Sequence, residues 1–192
     1  VQHHAKGVTV LYHASNENVL LNTATVESLE ADAIVVCAGV GSYHLANLLG
    51  DRVNIYPVKG YSITLNLNDQ DSVKHAPWVS LLDESAKIVT SRLGADRLRV
   101  AGTAEFNGYN LDIRADRIQP LIDWVNKNFS ISTENVVPWA GLRPMMPNMM
   151  PTVRRGKRER VFYNTGHGHL GWTLSAATAV MISQEVASQH PI

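Results

Sequence analysis

The sequence predicts an α/β fold of the mixed, α+β kind: a largely antiparallel sheet backed by a helix, with pieces of a second layer built on parallel strands. Three observations carry this. Residues 33–39, Ala33-Ile34-Val35-Val36-Cys37-Ala38-Gly39, form a continuous apolar run, as in a strand buried on both faces of a parallel sheet. Residues 56–102 alternate β-rich runs with turn residues, the pattern of antiparallel strands. Residues 161–188 read as strand, glycine-rich turn and helix.

In chain order, Gly7 reads as the C-terminal stop of a helix, followed at once by a β-branched strand at 8–12. Residues 19–21 and the threonine-rich 23–26 read as short, half-polar strands, ahead of the apolar run at 33–39. Strands are predicted over 56–65 and 78–82. Two more, 88–92 and 98–102, flank Gly94-Ala95-Asp96, a sequence with hairpin-turn chemistry. After Asp112, the residues Ile118, Leu121, Ile122, Val125 and Phe129 recur at helical spacing, so one face of that helix should cover the sheet. The proline-rich block 138–151 cannot be regular helix and is expected to be a loop or an irregular strand. A short strand at 161–164 leads through the glycines into a helix from Trp172 to about Ser188.

Composition narrows the function classes. The 192 residues carry 17 basic and 17 acidic side chains, so no net field gathers nucleic acid or an anionic membrane surface. With 45% hydrophobic residues, 13 Gly and 8 Pro, the chain is neither collagen-like nor low in complexity. Cys37, the single cysteine, can form no intramolecular disulfide and lacks companions for a thiolate zinc site, which fits a reducing cytosol. The longest apolar stretch, near 174–182, falls short of the roughly 20 residues that span a bilayer. The chain opens at Val1 with neither an initiator Met nor a signal pattern, and is expected to be a piece of something longer.

Three places could carry chemistry. In the turn Thr165-Gly166-His167-Gly168-His169-Leu170-Gly171, the glycines let backbone approach a ligand, and the helix behind aims free N–H groups and its positive dipole end there. The guest would be an anion or an electron-rich ring oxygen, although a plain strand-to-helix turn has the same sequence. The phosphate-loop pattern GxxxxGK[ST] is absent. Ala38-Gly39, at the end of the apolar strand, would lie at the carboxyl edge of a parallel sheet, where open α/β folds place ligands, although ordinary sheet core has the same pattern. In Trp139-Ala140-Gly141-Leu142-Arg143-Pro144, Arg143 could clamp a carboxylate bidentately or make a structural ion pair. His167 and His169 lack a third ligand at metal-site spacing, His3 and His4 read as solvated, and Met145, Met146, Met149 and Met150 read as packing, so no metal is expected.

Taken together, these segments resemble the FAD-dependent D-amino acid oxidase superfamily, and within it the small subunit of the D-amino acid dehydrogenases. The resemblance rests on five motifs in order: 31–39, Tyr56-Pro57-Val58-Lys59-Gly60-Tyr61-Ser62, 97–106, Gly141-Leu142-Arg143-Pro144 and 165–173. It implies the carboxyl-terminal half of a flavoenzyme: 1–50 as late strands of a Rossmann-like FAD-binding domain, 51–155 as the substrate domain, and 156–192 as the closing strand, turn and helix of the FAD domain.

The implied reaction is oxidative deamination of D-amino acids to 2-oxo acids and ammonia, by hydride transfer to flavin N5, with electrons passed to a respiratory acceptor. Arg143 would bind the substrate carboxylate and Tyr61 would offer a hydroxyl near the substrate. Ala38, Gly39, Gly166, His167, Gly168, His169, Leu170, Gly171, Trp172 and Thr173 would contact FAD. Tight binding of FAD would need the family's amino-terminal GxGxxG segment, which this chain lacks, supplied in cis or in trans. After Arg143 the chain reads Met146-Pro147-Asn148-Met149 where the family usually has a Thr-Pro-Asp-Gly-like run, which leaves the substrate preference open. A glycine- or sarcosine-type amine oxidase and a noncatalytic interaction module remain alternatives. The expected setting is cytoplasmic, with peripheral association at the inner face of the membrane left open.

Overall fold

The computed structural model describes residues 2–4, 7–14 and 25–188, with side chains described from residue 31 onward. In chain order the elements are β1 (Gln2–His4), β2 (Gly7–Ala14), β3 (Thr25–Ala31), β4 (Ile34–Val36), a 3-10 turn (Gly39–Gly41), α1 (Ser42–Leu48), β5 (Tyr56–Asn66), α2 (Gln70–His75), β6 (Leu82–Asp83), β7 (Ile88–Leu93), β8 (Arg97–Glu105), α3 (Ala115–Asn128), β9 (Val136–Met145), β10 (Thr152–Arg155), β11 (Val161–Thr165) and α4 (Gly171–Ala187). They form two compact units, one of Val1–Tyr56 with Pro144–Ile192 and one of Pro57–Arg143.

In the first unit β1, β2 and β3 make an antiparallel three-stranded sheet, and a second sheet has the order β10-β11-β4. Gly7 ends no helix: it opens β2 and stands opposite His4 of β1. A glycine marks a chain reversal, and a hairpin uses one as readily as a helix end does. The expected strand at 19–21 lies outside the described residues, as do the side chains of His3 and His4; of 23–26, residues 25–26 begin β3.

β4 pairs with β11 in parallel, as the apolar run implied, with Phe162 opposite Val35. It is shorter than expected and not buried on both faces. Val36 packs with Ala46, Leu49, Val53, Ile55, Val161 and Tyr163, while Val35 keeps 37% exposure. Among the described residues β4 is the last strand of its sheet, so no further strand pairs with its outer edge. Asp51 fastens the β10–β11 hairpin by accepting from the Lys157 backbone N–H and from the Tyr163 hydroxyl at 3.0 Å.

The second unit is a five-stranded sheet of order β6-β7-β8-β5-β9 with α3 packed on one face. Ile118, Leu121 and Val125 of α3 are buried against Ile63, Leu65, Leu98 and Val100, each such side chain stabilising by about 1.5–3 kcal/mol. Gly102 lets the helix close down, since a Cβ there would meet Leu121 at 3.1 Å. The β7–β8 hairpin turns at Gly94 with φ 73°.

Of the expected strand at 78–82 only Leu82 is in a strand, β6, and Trp78 lies over the Arg92 guanidinium, 3.9 Å from the ring centroid. Sequence periodicity also passed over α2, a short helix capped by Asp69, whose carboxylate accepts from the Ser72 N–H at 2.7 Å. Of the proline-bearing block 138–151, the part up to Met145 lies in strand β9, tolerated because it is an edge strand, and 146–151 is a loop. Among the described residues no helix is long and apolar enough to cross a membrane.

Candidate functional site

In the first unit two strand–turn–helix connections leave the carboxyl ends of the neighbouring parallel strands β4 and β11. Such an edge is where helix N-termini and free backbone N–H groups collect. After β4, Ala38 and Gly39 form the turn. The Ala38 N–H donates to Ser42 Oγ at 3.0 Å, and Ser42 shares a 2.8 Å hydroxyl contact with Thr165 at the end of β11. The two turns are thereby tied together. Gly39 has φ 53° and nothing within 4 Å of where a Cβ would sit, so its backbone is open to close approach.

After β11, Gly166 and Gly168 take φ values of 81° and 59°, conformations that favour glycine. A side chain is excluded for a second reason: a Cβ on Gly166 would meet Met146 Cγ at 2.6 Å, and one on Gly168 would meet Met145 Sδ at 2.8 Å. The methionine pair thus packs the turn from behind, and the Gly168 N–H donates to the Pro144 carbonyl at 3.0 Å. His167 is a latch: its Nε2 lies 3.0 Å from Thr178 Oγ1 on α4, and burial holds the imidazole below its ordinary pKa, in the neutral form. His169 and Leu170 are exposed, Trp172 is 97% exposed, and Gly171 and Thr173 stand in the first turn of α4. No side chain caps that helix. The turn therefore presents uncapped N–H groups and a positive dipole end, chemistry that suits an electron-rich carbonyl such as a flavin ring carries.

In the second unit β5 and β8 run antiparallel, with Tyr61 opposite Gly102 and Gly60 opposite Ala104, so Thr103 is an extra residue in β8. It is a β-bulge, and Thr103 has φ 63°. The bulge has two effects. It shifts the alternation of β8 by one, so that Glu105 joins Leu98 and Val100 on the α3 face. It also turns the Thr103 carbonyl toward Arg143 Nη1, at 3.5 Å. The Arg143 guanidinium lies over Gly60, where a Cβ would collide with Nη1, Cζ and Nη2. Among the described residues Arg143 makes no salt bridge, and burial lowers its pKa, leaving a desolvated cation with unspent donors.

Tyr61, expected to offer a hydroxyl to the substrate, points to the other side of the sheet. It is 1% exposed within the α3 core, and its hydroxyl donates to Glu105 Oε2 at 2.5 Å. Strand alternation explains the difference, since neighbours Gly60 and Tyr61 must face opposite ways. Glu105 also takes Lys59 Nζ at 3.0 Å and Arg114 Nη1 at 3.1 Å, and Lys59 reaches the Asn110 side chain and the Asp112 carbonyl. The Tyr61 hydroxyl first, then Lys59, hold the Glu105 carboxyl below its ordinary range. Among the described residues no three of His, Cys, Asp and Glu are grouped to hold a metal ion.

Residues 2–185 match the DAO family, described as FAD dependent oxidoreductase. The chain is 65% identical over 167 residues to D-amino acid dehydrogenase 3 of Mesorhizobium japonicum, covering 86% of this chain and 40% of that relative. It is 43% identical over 168 residues to a D-amino acid dehydrogenase of Dechloromonas aromatica, covering 86% and 39%. It therefore spans about two-fifths of the length of the curated relatives it matches. Among solved structures, the iminodiacetate oxidase of Chelativorans sp. BNC1 superposes with a TM-score of 0.73 at 20% identity, over 95% of this chain and 49% of that one. The L-alpha-glycerophosphate oxidase of Mycoplasma pneumoniae with FAD bound gives 0.68 at 17% identity, over 86% and 45%. These likenesses show the fold. The chain belongs to the DAO family of FAD-dependent oxidoreductases.

Proposed function

We propose that this chain is the carboxyl-terminal part of an FAD-dependent D-amino acid dehydrogenase, which oxidises a D-amino acid to an imino acid that water converts to a 2-oxo acid and ammonia. The observation that carries the reading is Arg143: a desolvated guanidinium, seated over a glycine and without a carboxylate partner among the described residues, is built to take a substrate carboxylate. The identity to proteins named D-amino acid dehydrogenase supports that choice of substrate.

A flavin, when bound, would supply the acceptor for the hydride of the substrate Cα. The chain's residues do the rest. Arg143 fixes the carboxylate and so the orientation of the Cα–H bond, while the Thr103 carbonyl and the bare Cα of Gly60 fix Arg143. Backbone N–H groups at Gly171, Trp172 and Thr173, in the uncapped first turn of α4, would stabilise negative charge on a flavin ring, with the turn from Gly166 to Leu170 holding them in place. Ala38 and Gly39 would let the ring system approach the sheet edge. In this reading the Pro57–Arg143 unit serves the substrate and the other unit the cofactor.

Tight FAD binding would require a nucleotide-binding segment with a GxGxxG turn, in cis or as a separate chain. The open edge of β4 and the exposed apolar residues Val35, Trp172, Val180 and Met181 support such a partner. Electrons would then pass to a respiratory acceptor. The test is a panel of D-amino acids, L-amino acids, glycine and sarcosine, offered to the assembled flavoprotein with an artificial electron acceptor. Turnover of D-amino acids above the rest is expected. Preference for glycine or sarcosine, or no turnover of any of them, would sink the reading.

A further inference from the structure

Arg143 is not the only guanidinium on its face of the sheet. Strand alternation puts Gly60 and Ser62 of β5, Arg99 and Ala101 of β8, and Trp139, Gly141 and Arg143 of β9 on the side away from α3. Arg99 reaches across to β5, where Nε and Nη2 both donate to the single oxygen of Ser62, at 3.2 and 3.0 Å. Its Cζ lies 5.0 Å from the centroid of the Trp139 ring. That ring is folded flat along its own strand, over Gly141, where a Cβ would collide with it.

Arg99 is poorly satisfied where it stands. A guanidinium has five N–H donors, and here two share one hydroxyl while no carboxylate lies within salt-bridge distance among the described residues. Arg92 shows the contrast, since it donates to four carbonyls, those of Val73, Ala76, Gly94 and Ala95. Two under-used cations therefore sit on one face. Their anchors, Gly60 and Ser62, are two residues apart on β5, about 6.8 Å along the strand. Gly60, Ala101 and Gly141 keep the surface around them low, and Trp139, 53% exposed, supplies an apolar wall.

Resting on the function proposed above, we infer that Arg99, steadied by Ser62 and Trp139, is a second anion site that binds a carboxylate on the substrate's side chain, so that the enzyme takes acidic D-amino acids. Arg143 holds the α-carboxylate and Arg99 the distal one, with the methylene stem against Trp139. The anchor spacing suits the D-glutamate skeleton better than the shorter D-aspartate. The site is a specificity determinant, since hydride transfer itself needs only Arg143's end of the molecule.

The test compares two near-isosteres, D-glutamate and D-glutamine, in the assembled flavoprotein with an artificial electron acceptor. Wild type is expected to favour D-glutamate by at least about tenfold in kcat/KM, as a charge-assisted pair should, and Arg99→Gln to collapse that ratio toward one. Calorimetric titration of wild type with glutarate and its monoamide reads the same site without catalysis and without a variant; the diacid should bind at least about tenfold tighter. Equal affinity for diacid and monoamide, or an Arg99→Gln protein whose D-glutamate to D-glutamine ratio is unchanged, overturns the inference. Tighter glutarate binding without oxidation of any D-amino acid upholds this site and removes the proposed activity. Oxidation of D-alanine without a preference for the diacid does the reverse.

Discussion

The guanidinium of Arg143 rests on the bare Cα of Gly60, on the neighbouring strand, in space that any side chain at position 60 would fill. The glycine is thus part of the arginine's seat. Gly60→Ala should displace the guanidinium while leaving the buried side of β5 intact, because Lys59 and Tyr61 face the other way. A shift of about 1 Å in a substrate-positioning group costs roughly 100-fold. Steady-state kinetics of the assembled flavoprotein should show that loss in kcat/KM, with the thermal midpoint lowered much less; a variant with native kinetics would detach Gly60 from the site.

Tyr61 belongs to the core, so Tyr61→Phe should act on stability and not on chemistry. The ring stays packed, Glu105 loses a 2.5 Å donor, and the thermal midpoint should fall by several degrees while kcat stays within about twofold of wild type. A large fall in kcat at unchanged stability would return Tyr61 to the substrate.

Glu105 links pH to stability. Its carboxyl is held below the ordinary range by the Tyr61 hydroxyl and then by Lys59, so the folded state favours the charged form. That stability is fully present above the unfolded-state value of about 4.3 and is lost as pH falls through the lowered folded value. Urea unfolding between neutral pH and acid should therefore show a steep loss in wild type and a shallower one in Glu105→Gln. Equal slopes would mean that the carboxylate is not held as described.

His167 gives a different window. Burial lowers its pKa, so folding favours the neutral ring, and the latch to Thr178 is secure above the ordinary histidine value of about 6.5. Acidification below that value should loosen the turn and hasten flavin release from the assembled protein. His167→Asn should flatten the pH dependence of release, and a release rate insensitive to pH in wild type would contradict the latch.

How much of this the sequence disclosed depended on whether the signal was local. The glycine turn and its helix lie in a short motif and are where the residue pattern put them, whereas Arg143 stands in the ten-residue strand β9. The direction of Tyr61 was knowable from alternation with Gly60, but only once Gly60 was known to lie under Arg143. The Thr103 bulge has no sequence mark, since threonine is an ordinary strand residue, and without it the pairing of Glu105 with Lys59 and Tyr61 cannot be placed. Likewise the exposure of Val35 depends on what covers β4, which the apolar run alone does not tell.

The central claim is that Arg143 holds the substrate carboxylate for flavin reduction, and anaerobic single-turnover bleaching of the flavin by a D-amino acid tests it most directly. Arg143→Ala should lose about 3 kcal/mol of transition-state binding, seen as a fall of roughly 100-fold in the second-order rate of bleaching, with Arg143→Lys recovering only part of it because a single ammonium cannot form the bidentate pair. Bleaching by the alanine variant at the wild-type rate would contradict the account.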